Sequence, residues 1–240
     1  MSDPNATRKL EEIAIDDIKV AIDREIVSQT IIDAMKRRQY EHVEARIGGW
    51  LFDTPEIPSG QRILEVGAGL GFVGSSLFQS GKVEKIVSYE ANPTLVPLIR
   101  ETHRLNGVNS EVRNFLLGAD SEGSGSIFVP TDFWAASGKA SSQAVEHSVP
   151  RASLQAAVDE IQPTFMLIDI EGGETVLFDG ITELPSVHSV LIELHQMAIG
   201  REGIATFFKK MMSMGFGYDQ RYSNGKVVLF QKLDFPMKRK

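Results

Sequence analysis

The chain contains no cysteine among its 240 residues. Disulfide bonds, thiolate nucleophiles and cysteine-ligated zinc sites are therefore excluded, and the fold must depend on its apolar core. A chain of this length can bury such a core without covalent cross-links. The length suits one α/β domain with an extension, or two small domains.

Long apolar runs and basic surplus charge are also missing. No apolar run reaches the roughly 20 residues that a membrane-spanning helix needs, and the first ten residues, MSDPNATRKL, lack an apolar signal-peptide core. We therefore expect a cytoplasmic protein with no membrane partner. The formal net charge of −7 argues against nonspecific nucleic-acid binding, because that binding requires a basic surface. A monomer and a homodimer both remain open.

A glycine-rich run is the most informative segment of the chain. Residues 63–71, Ile-Leu-Glu-Val-Gly-Ala-Gly-Leu-Gly, predict a buried strand that ends in a glycine turn. Residues 72–79 predict a helix, so the turn lies at a helix N-terminus, where unpaired N–H groups bind polar ligand groups. Glycine has no Cβ, and the backbone can therefore approach a ligand closely. The segment predicts a nucleotide-like ligand.

Two cofactor classes compete for this turn. Gly69, Gly71 and Gly74 match the dinucleotide fingerprint of NAD-binding folds, but that fingerprint places its first glycine at the strand end. Here Gly67 ends the strand. The resulting E-x-G-x-G-x-G spacing, which starts at Glu65, favours S-adenosylmethionine (SAM) over NAD and over a purely structural turn.

The rest of the chain predicts an α/β fold. From residue 62 onward, apolar strand-like segments alternate with helix-like segments. Repeated strand–helix–strand units predict a mostly parallel sheet with helices on both faces. Asn224-Gly225, between two strand-like segments, predicts an antiparallel C-terminal hairpin. We expect a Rossmann-like domain over residues 60–240.

Two segments stand apart from this alternation. Residues 1–59 predict an extension with a strand or hairpin at 13–22 and a helix capped by Ser28. This extension covers one edge of the core or closes over the ligand as a lid, and both roles are open. Residues 118–149 are rich in Ser, Gly and Ala, with one strand-like piece at 126–129. A long polar insertion of this kind is either functional or disordered.

Polar residues follow the second and third predicted strands, at the sheet edge where open α/β folds bind ligands. Glu90 follows the second strand, where a carboxylate can accept two hydrogen bonds from a ribose diol. A solvated strand-end acid is the alternative. Asn114 and Phe115 follow the third strand and could give adenine a hydrogen bond and a flat apolar face. The alternative there is a turn asparagine beside a core phenylalanine.

The fourth and fifth strands end in paired polar residues, Asp169 with Glu171 and Glu193 with His195. Residues i and i+2 of a strand share a face, so neighbouring strands would direct both pairs to one point beside the cofactor. Such groups are costly to bury without a function, unless they cap helices or pair with surface cations. His195 is the first candidate for a general base, with an ordinary pKa of about 6.5, and Asp169 or Glu171 are alternatives.

The same residues could instead hold a hard divalent cation, but their spacing fixes no metal geometry, and no metal is assigned. His147 lies in the insertion and is a candidate substrate contact. The histidines at 42, 103 and 188 are interpreted as surface or turn positions.

Several of these blocks, in this order, resemble the FkbM family of SAM-dependent methyltransferases. They are Tyr40-Glu41, residues 63–71, Glu90-Ala91-Asn92-Pro93, residues 149–154, residues 167–174 (Leu-Ile-Asp-Ile-Glu-Gly-Gly-Glu) and Glu193-x-His195. The similarity extends from about Tyr40 to the final hairpin. Many methyltransferases share the glycine motif, whereas the Asp-x-Glu-Gly-x-Glu block is much narrower. Gly173 stands where the family more often has alanine.

The resemblance implies a seven-stranded sheet with an antiparallel last strand, SAM as cofactor, and O-methylation of a hydroxyl on a sugar or natural product. The residues predicted to bind the cofactor are Glu65, Gly67, Ala68, Gly69, Gly71, Glu90, Ala91, Asn92, Asn114, Phe115 and Asp169. The predicted catalytic residues are Asp169, Glu171, Glu193 and His195, and the predicted substrate contacts are Tyr40, Glu41 and His147. Two alternatives are a noncatalytic nucleotide-binding module and an N-methyltransferase acting on RNA or protein.

Overall fold

A computed structural model describes residues 10–119, 122–130 and 144–235. The strands are β1 (Glu11–Ile15), β2 (Ile18–Ile22), β3 (Gln61–Val66), β4 (Val83–Tyr89), β5 (Ser110–Arg113), β6 (Leu116–Gly118), β7 (Ser124–Val129), β8 (Val145–Ser153), β9 (Phe165–Ile168), β10 (Ser189–Glu193), β11 (Phe216–Asn224) and β12 (Val227–Lys232). The helices are α1 (Gln29–Lys36), α2 (His42–Phe52), α3 (Phe72–Phe78), α4 (Val96–Leu105), α5 (Leu154–Ile161), α6 (Glu174–Leu177) and α7 (Gln196–Ser213). In the described part of the chain, no helix combines the length and the apolar character needed to cross a membrane.

The central sheet has seven strands in the order β11-β12-β10-β9-β3-β4-β5. The pairs β3 with β4, β3 with β9, β4 with β5 and β9 with β10 are parallel. β12 is antiparallel to both of its neighbours, β10 and β11. A turn at Gly225 and Lys226 reverses the chain between β11 and β12. The predicted fold class, a mostly parallel sheet with an antiparallel C-terminal hairpin, is confirmed.

Alternating side chains of the parallel strands separate the core into two halves. In β9, Phe165 and Leu167 pack into the half that contains α2, α3 and α4. Met166 and Ile168 pack into the half that contains α5, α6 and α7. A strand that is apolar on both faces is typical of a parallel sheet covered by helices, and the carboxyl ends of these strands remain available for a site.

The N-terminal segment packs on the first of these halves. β1 and β2 form a hairpin, one of the two alternatives that the sequence leaves open for this segment, and the hydroxyl of Ser28 caps α1 by accepting the N–H of Ile31. α2 is absent from the sequence prediction, because Gly48-Gly49 near its centre lowers helix propensity. Packing explains one of these glycines: a Cβ at Gly48 would lie 2.5 Å from the Cδ2 of Leu77 on α3.

One local expectation is wrong, and another is incomplete. α4 begins at Val96 rather than directly after Asn92, because the Asn92 side chain accepts the N–H and the hydroxyl of Thr94 in a turn that precedes the helix. The insertion is also more regular than expected, since β6, β7 and β8 form a second sheet of three strands. The parts of the insertion at 120–121 and 131–143 lie outside the described residues.

His103 is buried on α4 with 1% of its surface exposed, so the interpretation of this residue as a surface position is wrong. Its Nδ1 lies 2.9 Å from the hydroxyl of Ser110. Burial lowers the pKa of His103 from 6.5 to about 4, because the uncharged core disfavours the imidazolium.

This burial predicts acid sensitivity. As the pH falls from 6.5 toward 4, the unfolded chain binds a proton at His103 that the folded chain does not bind. We expect His103 to remove about 2 kcal/mol of the free energy of unfolding between about pH 7 and pH 5. Urea unfolding of the wild type and of His103→Gln at both pH values measures this difference. Equal pH dependence in the two proteins would contradict the assignment.

Candidate active site

A cavity of about 590 Å³ lies at the carboxyl ends of the central strands. Its volume falls in the range of roughly 300–1,000 Å³ that is typical of small-molecule sites. Most of the residues that the sequence predicts as functional line this one cavity. They are Tyr40, Glu41, Gly67, Gly69, Glu90, Ala91, Asn92, Phe115, Asp169, Glu171 and Glu193.

The glycine turn after β3 forms one wall of the cavity. Gly67, Gly69 and Gly71 have φ angles of +79°, +54° and +75°, a left-handed backbone that glycine adopts without steric cost. The approach of the neighbouring strand is also close, since a Cβ at Gly67 would lie 1.8 Å from the carbonyl oxygen of Asp169. The turn therefore depends on glycine for its conformation and for its contact with the end of β9.

Glu65 lies beneath this turn rather than in the cavity wall. Its side chain is buried and accepts hydrogen bonds from the hydroxyl of Ser88 and from the backbone N–H of Gly74. Burial raises its pKa to about 7, against the opposing effect of these two hydrogen bonds. Glu65 thus supports the turn and the start of α3. Ala68 is also buried, at 3% exposure, and its backbone N–H hydrogen bonds to Glu90.

Glu90 connects the second strand to the glycine turn. Its carboxylate accepts the backbone N–H of Asn92 at 2.7 Å and that of Gly69 at 3.2 Å. Burial raises the pKa of Glu90 to about 7, although these N–H groups favour the charged form. Asn114 donates its side-chain amide to the carbonyl oxygens of Glu90 and Ala91 at 2.8 and 3.1 Å. Asn114 therefore fixes this loop from behind and does not line the cavity.

The carboxyl ends of β9 and β10, the fourth and fifth strands of the sequence prediction, converge as predicted. Asp169, Glu171 and His195 lie just beyond these strands. The Nε2 atom of His195 lies 3.3 Å from Glu171, 3.4 Å from Glu193 and 3.7 Å from Asp169. Its Nδ1 atom lies 2.6 Å from a carboxylate oxygen of Glu174, which is fully buried. We call these five residues the acid–imidazole cluster.

The electrostatics of the acid–imidazole cluster favour a protonated histidine. Burial opposes the charge of His195, but hydrogen bonds to Glu171 and Glu174 and the charge of Asp169 outweigh it, and its pKa rises to about 10. Burial and the charge of Glu193 raise the pKa of Asp169 well above its ordinary value, although His195 opposes this. The cluster therefore combines one cation with an acid that is ready to hold a proton.

Sequence reasoning missed three residues that complete this network. Glu174 orients His195, and the Asp-x-Glu-Gly-x-Glu block already contained it. Glu44 of α2 hydrogen bonds to Glu193, and burial raises the pKa of Glu44 to about 7. Lys226, beside the hairpin turn, forms an ion pair with Glu193. No local pattern links α2, β10 and the hairpin, so only the fold brings these groups together.

A cation could also bind at the acid–imidazole cluster. Asp169, Glu171 and His195 each offer one ligand atom, and these atoms lie within 4.8 Å of one another. Carboxylate oxygens and an imidazole nitrogen are ligands for divalent metals. Among the described residues, these three are thus the group that could hold a metal.

The three predicted substrate contacts have different positions. Tyr40 and Glu41 line the cavity beside the glycine turn. His147 lies on β8 opposite Ile127 and does not line the cavity. Arg151, Val176 and Asp179 also line it, and none of them is among the functional residues predicted from the sequence.

Comparison with known proteins supports the fold. No protein-family model matches the chain, and no curated protein matches its sequence. Among solved structures, it resembles an O-methyltransferase from Bacillus cereus in complex with S-adenosylhomocysteine (SAH), with 14% identity over 84% of this chain and 87% of that chain and a TM-score of 0.50. It also resembles Trm5b from Pyrococcus abyssi, with 9% identity over 94% of this chain and 56% of that chain and a TM-score of 0.50.

The chain has the Rossmann-like methyltransferase fold. A precorrin-6y C5,15-methyltransferase from Geobacter metallireducens is a further similar structure, with 10% identity, coverage of 91% and 96% of the two chains, and a TM-score of 0.49. At identities this low, the likeness to the two structures with a TM-score of 0.50 establishes the fold alone. The FkbM resemblance stays a prediction from the sequence blocks.

Proposed function

We propose that the protein is a SAM-dependent methyltransferase that O-methylates a hydroxyl of a small molecule such as a sugar or natural product. One observation carries the proposal: the left-handed glycine turn, the buried Glu90 and the acids Asp169, Glu171 and Glu193 border one cavity. Folds of this kind bind ligands at that edge of the sheet. The Bacillus cereus neighbour, which shares this fold, was solved with SAH.

The cavity residues suggest how SAM would lie. We assign the Glu90 carboxylate to the ribose diol, because it borders the cavity and is held in place by the backbone N–H groups of Gly69 and Asn92. A ribose phosphate would be repelled there. Phe115 offers an apolar face to adenine, and the Nδ2 of Asn92 is buried without a hydrogen-bond partner among the described residues. The methionyl chain would then cross the glycine turn.

Removal of the charge on Glu90 tests this placement. We expect Glu90→Gln to lower the affinity for SAH by about 10- to 100-fold, since hydrogen bonds to a charged group are lost at the ribose. Isothermal titration with SAH measures the change. Glu84→Gln, an identical change at an exposed site on β4, is the control. An unchanged affinity in Glu90→Gln would place the ribose elsewhere.

The chemistry needs a proton acceptor. The acceptor oxygen forms a bond to the methyl carbon in line with the breaking carbon–sulfur bond, and the bonding electron pair moves to sulfur and yields SAH. The hydroxyl proton must leave to a base. His195 already carries a proton at neutral pH, given its pKa of about 10. We therefore assign the proton to the ionised form of the Asp169 carboxylate, which its raised pKa makes a stronger base than an ordinary aspartate, with His195 balancing the negative charge.

Product analysis tests the proposed reaction. The protein is incubated with methyl-labelled SAM and a panel of sugars, phenols, polyols and amines, and labelled products are analysed by NMR. We expect a labelled methoxy group on a hydroxylated acceptor. A labelled N-methyl group would favour the amine-methylating alternative, and SAH binding without transfer to any acceptor would favour a noncatalytic module.

A further inference from the structure

We infer that the Glu41 carboxylate, together with the Tyr40 hydroxyl, forms the subsite for the α-ammonium group of the cofactor's methionyl portion. This inference rests on the proposed function. It assigns to the cofactor two residues that the sequence analysis placed with the substrate.

Tyr40 and Glu41 lie beside the glycine turn. An ideal Cβ at Gly69 would lie 2.3 Å from the Oε1 of Glu41 and 2.6 Å from the hydroxyl of Tyr40. Both side chains therefore rest directly on the glycine turn, in the wall of the cavity. A ligand whose ribose lies at Glu90 and whose chain crosses this turn must pass beside them.

The backbone of Glu41 adopts an uncommon conformation. Glu41 precedes α2 with a left-handed φ of +51°, yet its side chain makes no capping hydrogen bond to that helix. Residues held in a strained backbone are concentrated at ligand sites, where the surrounding structure maintains them. The carboxylate is directed toward the glycine turn rather than toward the helix.

The hydrogen bonding of the Glu41 carboxylate is incomplete among the described residues. One Glu41 oxygen lies at the Tyr40 hydroxyl, and the two side chains hydrogen bond. The Oε2 atom is buried without a hydrogen-bond partner among the described residues. Burial raises the pKa of Glu41, and the nearby acids Asp169, Glu44 and Glu65 raise it further, against the effect of Tyr40. A cationic donor would satisfy the free oxygen and stabilise the charged carboxylate.

The α-ammonium group of SAM is the cationic donor that fits the Glu41 carboxylate. SAM carries two cations, its sulfonium and its α-ammonium, but only the ammonium has N–H groups that a carboxylate oxygen can accept. A hydroxyl acceptor must approach the methyl group from the side opposite to sulfur, which the proposal places toward the acid–imidazole cluster. Glu41 rests instead on the turn that the methionyl chain crosses.

The test compares two ligands that differ at the amino-acid end. SAH has the α-ammonium, whereas 5′-methylthioadenosine has the same adenosine and thioether without it. We expect Glu41→Gln to lower the affinity for SAH by about 10- to 100-fold, and to leave the affinity for 5′-methylthioadenosine within about threefold. Tyr40→Phe should show the same selectivity with a smaller loss. Glu25→Gln, the same change at an exposed N-terminal position, is the control.

Other outcomes would overturn the inference. An equal loss for both ligands would mean that Glu41 only supports the fold. Unchanged affinity for both, with a raised KM for a methyl acceptor, would return Glu41 to the substrate. A wild-type protein that binds neither ligand would instead refute the proposed function, and with it this subsite.

Discussion

Replacing Asp169 with asparagine is expected to lower the rate of methyl transfer by about two to four orders of magnitude, the range typical of a lost general base. The amide has nearly the same shape but cannot take the hydroxyl proton. The affinity for SAH should stay within about tenfold, because the proposed contacts with the backbone and with Glu90 would still hold the cofactor. The rate is measured as SAH formed with an acceptor that the wild type methylates.

Stability gives this experiment a second readout. Burial and the charge of Glu193 raise the pKa of Asp169, so its ionised form opposes folding near neutral pH. Asp169→Asn should therefore raise the melting temperature while it lowers turnover. Asp17→Asn, the same change at an exposed position between β1 and β2, is the matched control. Turnover within threefold of wild type in Asp169→Asn would refute the assigned base.

Gly67→Ala is expected to lower the free energy of unfolding by about 3–5 kcal/mol and to prevent SAH binding. The added Cβ would lie 1.8 Å from the carbonyl oxygen of Asp169, an overlap with backbone that no rotamer can relieve. The left-handed φ of +79° adds strain. To make room for the alanine side chain, the ends of β3 and β9 must separate. This separation also opens the cavity wall that the two ends form.

Gly81→Ala separates the two causes of this loss. Gly81 has a left-handed φ of +71°, but an added Cβ there would meet no atom within 4 Å. We expect this variant to lose only the conformational term, about 1–2 kcal/mol, and to bind SAH normally. Urea unfolding and calorimetric titration of both variants give the comparison. Equal losses in the two proteins would show that the close approach of Asp169 to the turn has no energetic consequence.

The sequence predicted the features whose cause is local. The alternation of strand-like and helix-like segments predicts the parallel sheet, and Asn224-Gly225 predicts the hairpin. Both signals are local, because the periodicity of apolar residues and the conformation of a turn depend on a few neighbouring residues. The paired polar residues at 169–171 and 193–195 were placed together because parallel strands end at the same edge of a sheet. Their convergence follows from topology: Asp169, Glu171 and Glu193 line the cavity, and His195 contacts all three without lining it.

The features that escaped prediction depend on contacts between distant segments. α2 contains two adjacent glycines, and only its packing against Leu77 explains Gly48. The raised pKa of His195 arises from its hydrogen bonds to Glu171 and Glu174. The sequence does not reveal these contacts, so the prediction of His195 as general base does not account for them. Likewise, burial of His103 follows from α4 lying against the sheet. Each of these effects requires the assembled fold.

Calorimetric titration of the purified protein with SAH and, separately, with NAD tests the central claim most directly. The glycine turn with Gly67 at the strand end and Glu90 beyond it predicts saturable binding of SAH at one site and no binding of NAD. Glu90→Gln should weaken the SAH signal in the same experiment. Tight binding of NAD with no response to SAH would contradict the account.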